Sequence, residues 1–261
     1  MDEHDYEYRG LMAATWDVLR GDTSRWGDRA AFRAIIARHG QPALDVGCAT
    51  GRLLLDYLDE GIDIDGVDIS PEMLDLCREK GRARGLHPNL YRQALETLDL
   101  PRTYGTILVP SSTFQLITDP DTARGAMGRF FGHLRPGGAL VMTFMTLWRE
   151  GDPLETDWGE PRERTRPEDG AVVRRWTRAR YDPAQRLEHT EDRYEIVRDG
   201  ATIATEQHRR SPATRWYTHD DVRALYREAG FTDPHLTREW SGEPATPDAR
   251  VIMAVGTRPI S

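Results

Sequence analysis

The sequence predicts an α/β fold: a doubly wound, mostly parallel sheet that carries an antiparallel insertion. Three observations predict it. Apolar strands alternate with amphipathic helices between residues 43 and 146, the order that builds a parallel sheet covered by helices on both faces. The first strand runs into Leu44-Asp45-Val46-Gly47-Cys48-Ala49-Thr50-Gly51, and the second ends in Asp68-Ile69-Ser70. A glycine turn followed by an acid about twenty residues on marks a βαβ nucleotide cradle. After Trp148 the chain changes to polar alternation punctuated by turn residues, the pattern of antiparallel strands.

Taken in order, Tyr8, Leu11, Met12, Thr15, Trp16 and Leu19 recur at helical spacing and give an aromatic-rich face that stops at Gly21. A second amphipathic segment runs from Phe32 to Gly40. Core strands are expected at 43–47, 62–68, 89–92, 104–110 and 138–146, with helices at 52–59, 71–84 and 121–134. Ser70 as N-cap, Pro71 at the first helical position and Glu72 beside the positive end of the dipole start the helix after the second strand. Arg135-Pro136-Gly137-Gly138 reads as the break between a helix and a strand. Residues 149–170 are rich in Gly, Pro and charge and form an irregular surface segment. Three antiparallel strands follow, Val172 to Tyr181, Leu187 to Val197 and Thr202 to Arg210, turning at Asp182-Pro183 and Asp199-Gly200. Thr218 then caps a helix carrying Val222, Leu225, Tyr226 and Ala229, Gly230 closes it, and Val251 to Val255 makes the last strand. The organisation expected is an N-terminal helical lid at 1–40, a core formed by 41–148 with 216–261, and an inserted β subdomain at 149–215.

Composition narrows the function. The 261 residues hold 43 acids against 35 bases, a net charge of −8, which disfavours a nucleic-acid partner because phosphate binding rests on clustered positive charge. Arginines between Arg162 and Arg180 are interleaved with Glu and Asp and read as a solvated strand face. Cys48 and Cys77 build neither a disulfide framework nor a ligand set, and no metal is expected. The acidic N-terminus has no signal-peptide pattern and no run reaches the length of a membrane span, so a cytoplasmic protein without a membrane partner is expected. A homo-oligomer is compatible with the composition.

Several cofactors use such a glycine turn, and spacing separates them. A dinucleotide fingerprint needs glycines where Ala49 and Arg52 stand, and a P-loop needs Lys before Ser or Thr where the chain reads Gly51-Arg52-Leu53. Asp45-Val46-Gly47-Cys48-Ala49-Thr50-Gly51 instead resembles the acid-x-Gly-x-Gly-x-Gly turn of class I S-adenosylmethionine-dependent methyltransferases. Gln93-Ala94-Leu95-Glu96 is similar to the third cofactor segment of that family, Tyr104 to Ser111 to its fourth strand, and His133 to Gly138 to the junction before its fifth. The likeness covers residues 40–146 and 216–257.

The resemblance implies a Rossmann-like sheet of seven strands, with the antiparallel ribbon as a substrate lid. It implies S-adenosylmethionine as cofactor and S-adenosylhomocysteine as product. Asp68 then takes the ribose hydroxyls, while Ile69 and Met73 sandwich the adenine. Asp45 braces the turn or reaches the methionine end. Gly47, Cys48, Ala49 and Gly51 form the cradle, Ala94, Leu95 and Glu96 lie near the adenine, and Pro110 and Ser111 face the transferable methyl. Ala49 replaces the middle glycine, Ala94 stands where many members have an Asp that bonds the adenine amine, and Gly105 also stands where Asp is common. Phe114 is placed equally well for the core and for a wall of the methyl-transfer pocket. Tyr8 and Trp16 either pack their helix or, as the resemblance implies, lid the site and touch the acceptor.

Methyl transfer from a sulfonium is an in-line displacement that needs positioning above all. An amine must arrive neutral, whereas a hydroxyl calls for a base or a metal, and the sequence offers neither a clear base nor a ligand cluster. Glu188, His189 and Glu191 in the ribbon are the remaining places for a base. The expected reaction is N-methylation of a small metabolite. A small-molecule O- or C-methyltransferase is the alternative, and a non-catalytic cofactor-binding scaffold the second.

Overall fold

A computed structural model describes residues 8–260, so the first seven residues of the expected lid lie outside the described residues. In chain order the helices are α1 (Gly10–Ala14), α2 (Trp16–Arg20), α3 (Asp28–His39), α4 (Leu54–Asp59), α5 (Pro71–Ala83), α6 (Pro120–His133) and α7 (His219–Glu228). The first five strands are β1 (Ala43–Val46), β2 (Ile64–Asp68), β3 (Asn89–Arg92), β4 (Tyr104–Val109) and β5 (Leu134–Met145). Then follow β6 (Arg162–Thr165), β7 (Val172–Asp182), β8 (Leu187–Arg198), β9 (Ala201–Arg215), β10 (His235–Arg238) and β11 (Val251–Thr257).

The chain forms two compact units. Residues 27–147 and 216–260 make a core unit whose seven-stranded sheet runs β10-β11-β5-β4-β1-β2-β3. β1 to β5 are parallel, while β11 is antiparallel to β5 and β10 to β11. The mostly parallel, seven-stranded sheet is therefore present as expected. The central strands β1, β2 and β4 are buried along their whole length, as strands of a parallel sheet covered on both faces are. One apolar cluster is built around Phe114, Phe130, Phe144 and Tyr226, the other around Phe32, Leu54, Tyr57 and Cys77.

Residues 8–26 and 148–215 make the second unit, an antiparallel sheet in the order β6-β7-β8-β9 with α1 and α2. Asp199 and Gly200 both have positive φ, +51° and +77°, as a two-residue hairpin turn demands. Met12, Leu19, Val173 and Tyr194 form its small apolar core.

Four details differ from expectation. The N-terminal helix is broken at Thr15, whose Oγ1 bonds the Leu11 carbonyl at 2.6 Å while its backbone leaves the helical region. The Arg135 to Gly138 break lies inside β5, where a register shift against β4 absorbs it. The short edge strands β6 and β10 are additional, and four-residue strands leave little periodicity to detect. α3 belongs to the core unit, with Phe32 and Ile36 packed in its second cluster.

Candidate functional site

The glycine turn after β1 is pinned to the end of β2. The N–H groups of Gly47 and Cys48 both donate to the Val67 carbonyl, at 2.8 and 3.1 Å, and Gly51 N–H closes the turn on the Cys48 carbonyl at 2.9 Å. Gly47 and Gly51 have φ of +71° and +85°. A Cβ on Gly47 would lie 2.4 Å from Thr113 Cγ2, and one on Gly51 would lie 2.6 Å from Cys77 Sγ. Both positions therefore need glycine twice over, for conformation and for space. Ala49 has φ +48°, so its replacement of glycine adds left-handed strain as well as a methyl group. Ala49→Gly is expected to raise the denaturation midpoint by the equivalent of about 1 kcal/mol, and a lower midpoint would show that the alanine methyl is needed for packing.

Asp68, 7 % exposed, braces this turn. Its Oδ2 accepts from Ala49 N–H and its Oδ1 from Ser70 N–H, both at 2.9 Å. Ser70 Oγ caps α5 through Met73 N–H at 3.2 Å as expected. Burial pushes the Asp68 carboxyl up, against the pull of its bonds from Ser70 and Ala49. The Ile69 N–H also bonds this carboxylate, and of the roughly four acceptor positions of a carboxylate these three bonds leave one for a ligand.

Asp45, 1 % exposed, lies at the end of β1. The Leu54 N–H bonds to its carboxyl, while its buried Oδ1 has no hydrogen-bond partner. Burial pushes this carboxyl up to about 7, against the pull of Arg52 and with the help of Asp68 and Asp28. An Asp raised in the folded state contributes stability that is present below its unfolded value of about 4 and lost as pH rises through about 7. Asp45→Asn should accordingly stabilise the protein more at pH ~8 than at pH ~5. Melting curves at the two values test this, and an equal effect at both would refute it.

The other candidates in the core unit sit around the same strand ends. Ile69 is half-buried and Met73 fully buried in the first turn of α5, and Cys48 is buried within the turn. Gln93 N–H donates to the Asp68 carbonyl at 3.2 Å, and the Gln93 side chain pins Asp99, so Ala94, Leu95 and Glu96 follow directly on β3. Pro110 is buried, and Ser111 has φ +59° with its carbonyl accepting from Thr143 Oγ1 at 2.6 Å. Gln115 ties the same loop to the end of β5, donating to the Met145 carbonyl at 3.0 Å and accepting from its N–H at 2.7 Å. Phe114 is 0 % exposed and packs with Phe130, Phe144 and Tyr217. These ring contacts are what its core placement requires. Tyr8 and Trp16 form an edge-to-face pair at 5.0 Å within the ribbon unit, where Arg20 lies over the Trp16 ring.

Sequence reasoning missed Thr113, which touches Gly47, and Asp28, whose carboxylate pairs with Arg52. A Thr after a strand and an Asp at a helix start carry no special pattern, and only the fold brings them to the turn. His133 is structural: Nε2 accepts from Leu100 N–H at 2.9 Å and Nδ1 bonds the Arg129 carbonyl at 2.8 Å. In the ribbon unit Glu188 is raised by burial while bonded by Thr214 and Tyr181. Among the described residues no group of three His, Cys, Asp or Glu is placed to hold a metal ion, and no helix is long and apolar enough to cross a membrane.

Residues 43–138 match the methyltransferase domain family. That stretch of the chain runs from β1 into β5 and contains Phe114 and every cofactor candidate above, whereas Tyr8, Trp16 and Glu188 lie outside it. The ubiquinone/menaquinone biosynthesis C-methyltransferase UbiE of Vibrio campbellii is 34 % identical over 132 residues, 48 % of this chain and 49 % of that protein. The dTDP-3-amino-3,6-dideoxy-alpha-D-glucopyranose N,N-dimethyltransferase of Streptomyces fradiae is 26 % identical over 141 residues, 52 % of this chain and 54 % of that one. The chain thus spans about half the length of the curated relatives it matches. Among solved structures, an S-adenosylmethionine-dependent methyltransferase from Clostridium acetobutylicum superposes with TM-score 0.74 at 18 % identity, covering 94 % of this chain and 96 % of that one. The methyltransferase fold therefore extends over nearly the whole chain.

Proposed function

We propose that the chain transfers the methyl group of S-adenosylmethionine to the nitrogen of an amine-bearing small metabolite and releases S-adenosylhomocysteine. The observation that carries the cofactor reading is the pairing of two buried acids with one left-handed turn: Asp45 with an unpartnered Oδ1, and Asp68 with an acceptor position to spare. These residues fit the cofactor. Asp68 would hold the ribose hydroxyls, Ile69, Met73, Ala94, Leu95 and Glu96 would surround the adenine, and Asp45 with the 47–51 backbone would take the methionine end. Pro110 and Ser111 would border the reacting carbon.

When bound, the cofactor supplies a sulfonium-activated methyl. The chain's own contribution is then positioning, which accounts for much of the rate of an in-line displacement. Gln115 and Thr143 fix the loop after β4, and burial around it favours a neutral amine over an ammonium. The dimethyltransferase of Streptomyces fradiae supports nitrogen as acceptor. The match to UbiE supports a second reading, carbon methylation. The ribbon unit, with Tyr8 and Trp16, is proposed to set acceptor specificity.

The test is incubation with S-adenosylmethionine and a panel of amino sugars, amino acids and quinols, with products followed by mass spectrometry and the methylated atom assigned by NMR. N-methylated product is expected. Methyl on carbon would replace the first reading with the second. Cofactor binding with no product from any acceptor class would favour a scaffold.

A further inference from the structure

Behind the glycine turn lies a set of buried charges that methyl transfer does not use. The Asp28 carboxylate, in the first turn of α3, is clamped by both terminal nitrogens of Arg52, one of them at 3.1 Å, and the two side chains are 4 % and 14 % exposed. Arg52 immediately follows Gly51 and pulls the Asp45 carboxyl down, while Asp68 and Asp28 push it up. That cation is already neutralised by Asp28, so it compensates Asp45 only in part. Among the described residues, uncharged titratable groups also interact with Asp45. They are Tyr57 of α4, whose hydroxyl donates to the Arg29 carbonyl, and the thiols of Cys48 and Cys77, both raised by burial. Arg29 is paired with Asp56, and Lys80 reaches Thr50 Oγ1 at 3.3 Å.

A buried carboxyl in such a deficit keeps its proton until a cation arrives. We propose that the Asp28–Arg52 pair is a positioning device for Asp45, and that through it cofactor binding is coupled to the release of one proton from the Asp45 carboxyl to solvent. This rests on the methyltransferase reading. The cofactor's ammonium group is the cation that meets Oδ1, and the proton leaves as the ion pair forms. Asp28 keeps Arg52 from doing the same work in the free protein, so the site is charged only when it is filled. Proton release should be close to one per cofactor near pH ~6 and fade above pH ~8. Affinity should weaken about tenfold per unit as pH falls below Asp45's own range.

The experiment is titration calorimetry of the full chain with S-adenosylmethionine, S-adenosylhomocysteine and adenosine, in pairs of buffers that differ in ionisation enthalpy. Both ammonium-bearing ligands should release the proton and adenosine should not. Asp45→Asn should abolish release. Asp28→Asn frees Arg52 to pair with Asp45, so release should move to lower pH by about one unit; Arg52→Gln should move it the other way. A merely structural role for the pair would change affinity without moving the midpoint. If neither ligand binds the wild-type chain, the methyltransferase reading fails. If they bind with heats independent of buffer, or with a midpoint unmoved in both variants, that reading survives and the coupling is wrong. Should Asp28→Asn not fold, the wild-type buffer dependence and Arg52→Gln decide.

Discussion

Asp68→Ala is expected to raise the dissociation constant for S-adenosylmethionine on the order of 100-fold. Two losses combine. The charge-assisted bonds to the ribose are worth roughly 2–3 kcal/mol, and the Ala49 N–H loses the carboxylate oxygen that holds it at 2.9 Å. That second loss matters because Ala49 sits at φ +48°, a conformation that costs an L-residue about 1–2 kcal/mol and persists only where its surroundings enforce it. Asp68→Asn separates the two. It keeps one acceptor but turns the other oxygen into a donor that faces an N–H, so it should fall between wild type and alanine. Calorimetry with S-adenosylhomocysteine measures both variants. An unchanged constant in Asp68→Ala would remove the ribose assignment and leave Asp68 as a turn brace alone.

Phe114→Ala should cost about 3–5 kcal/mol of stability, a fall in melting temperature on the order of 10 °C for a chain of this size. The ring is fully enclosed, and its centroid lies 6.4, 6.0 and 5.8 Å from those of Phe130, Phe144 and Tyr217. Removing it opens a cavity and deletes several aromatic contacts, each worth about 0.5–1.5 kcal/mol beyond its area. Phe114→Leu keeps most of the volume and should lose much less stability. If Phe114→Leu instead kept its melting temperature and cofactor affinity while turnover collapsed, the ring would belong to the acceptor pocket.

What the sequence made legible was local chemistry with a fixed spacing. Gly47, Gly51 and Asp68 stand at intervals that only a strand-turn-helix-strand unit satisfies, Ser70-Pro71 announces a helix start, and Asp199-Gly200 announces a hairpin. Long-range arrangements left weaker marks. The Asp28–Arg52 clamp joins the start of α3 to the turn before α4, whose approach depends on the whole core. Tyr217 reaches Phe114 from more than a hundred positions away. Gly105 becomes intelligible only in three dimensions: a Cβ there would lie 2.5 Å from the Gly40 carbonyl oxygen. The break at Thr15 was hidden because its side chain joins its own N–H on the Leu11 carbonyl, a local bond that helical spacing does not register.

The pairing of β11 with β5 fixes an order of events during synthesis. Met145 lies opposite Val251 and Ala139 opposite Thr257, so one edge of β5 waits for more than a hundred further residues to emerge, the entire ribbon among them. A nascent chain halted before β11 would present an apolar strand with open hydrogen-bonding groups, the kind of edge that recruits other chains. Closing loops of that length slows folding. The core unit therefore has its cradle early and its completed sheet late, and chaperone demand should peak in the interval between them.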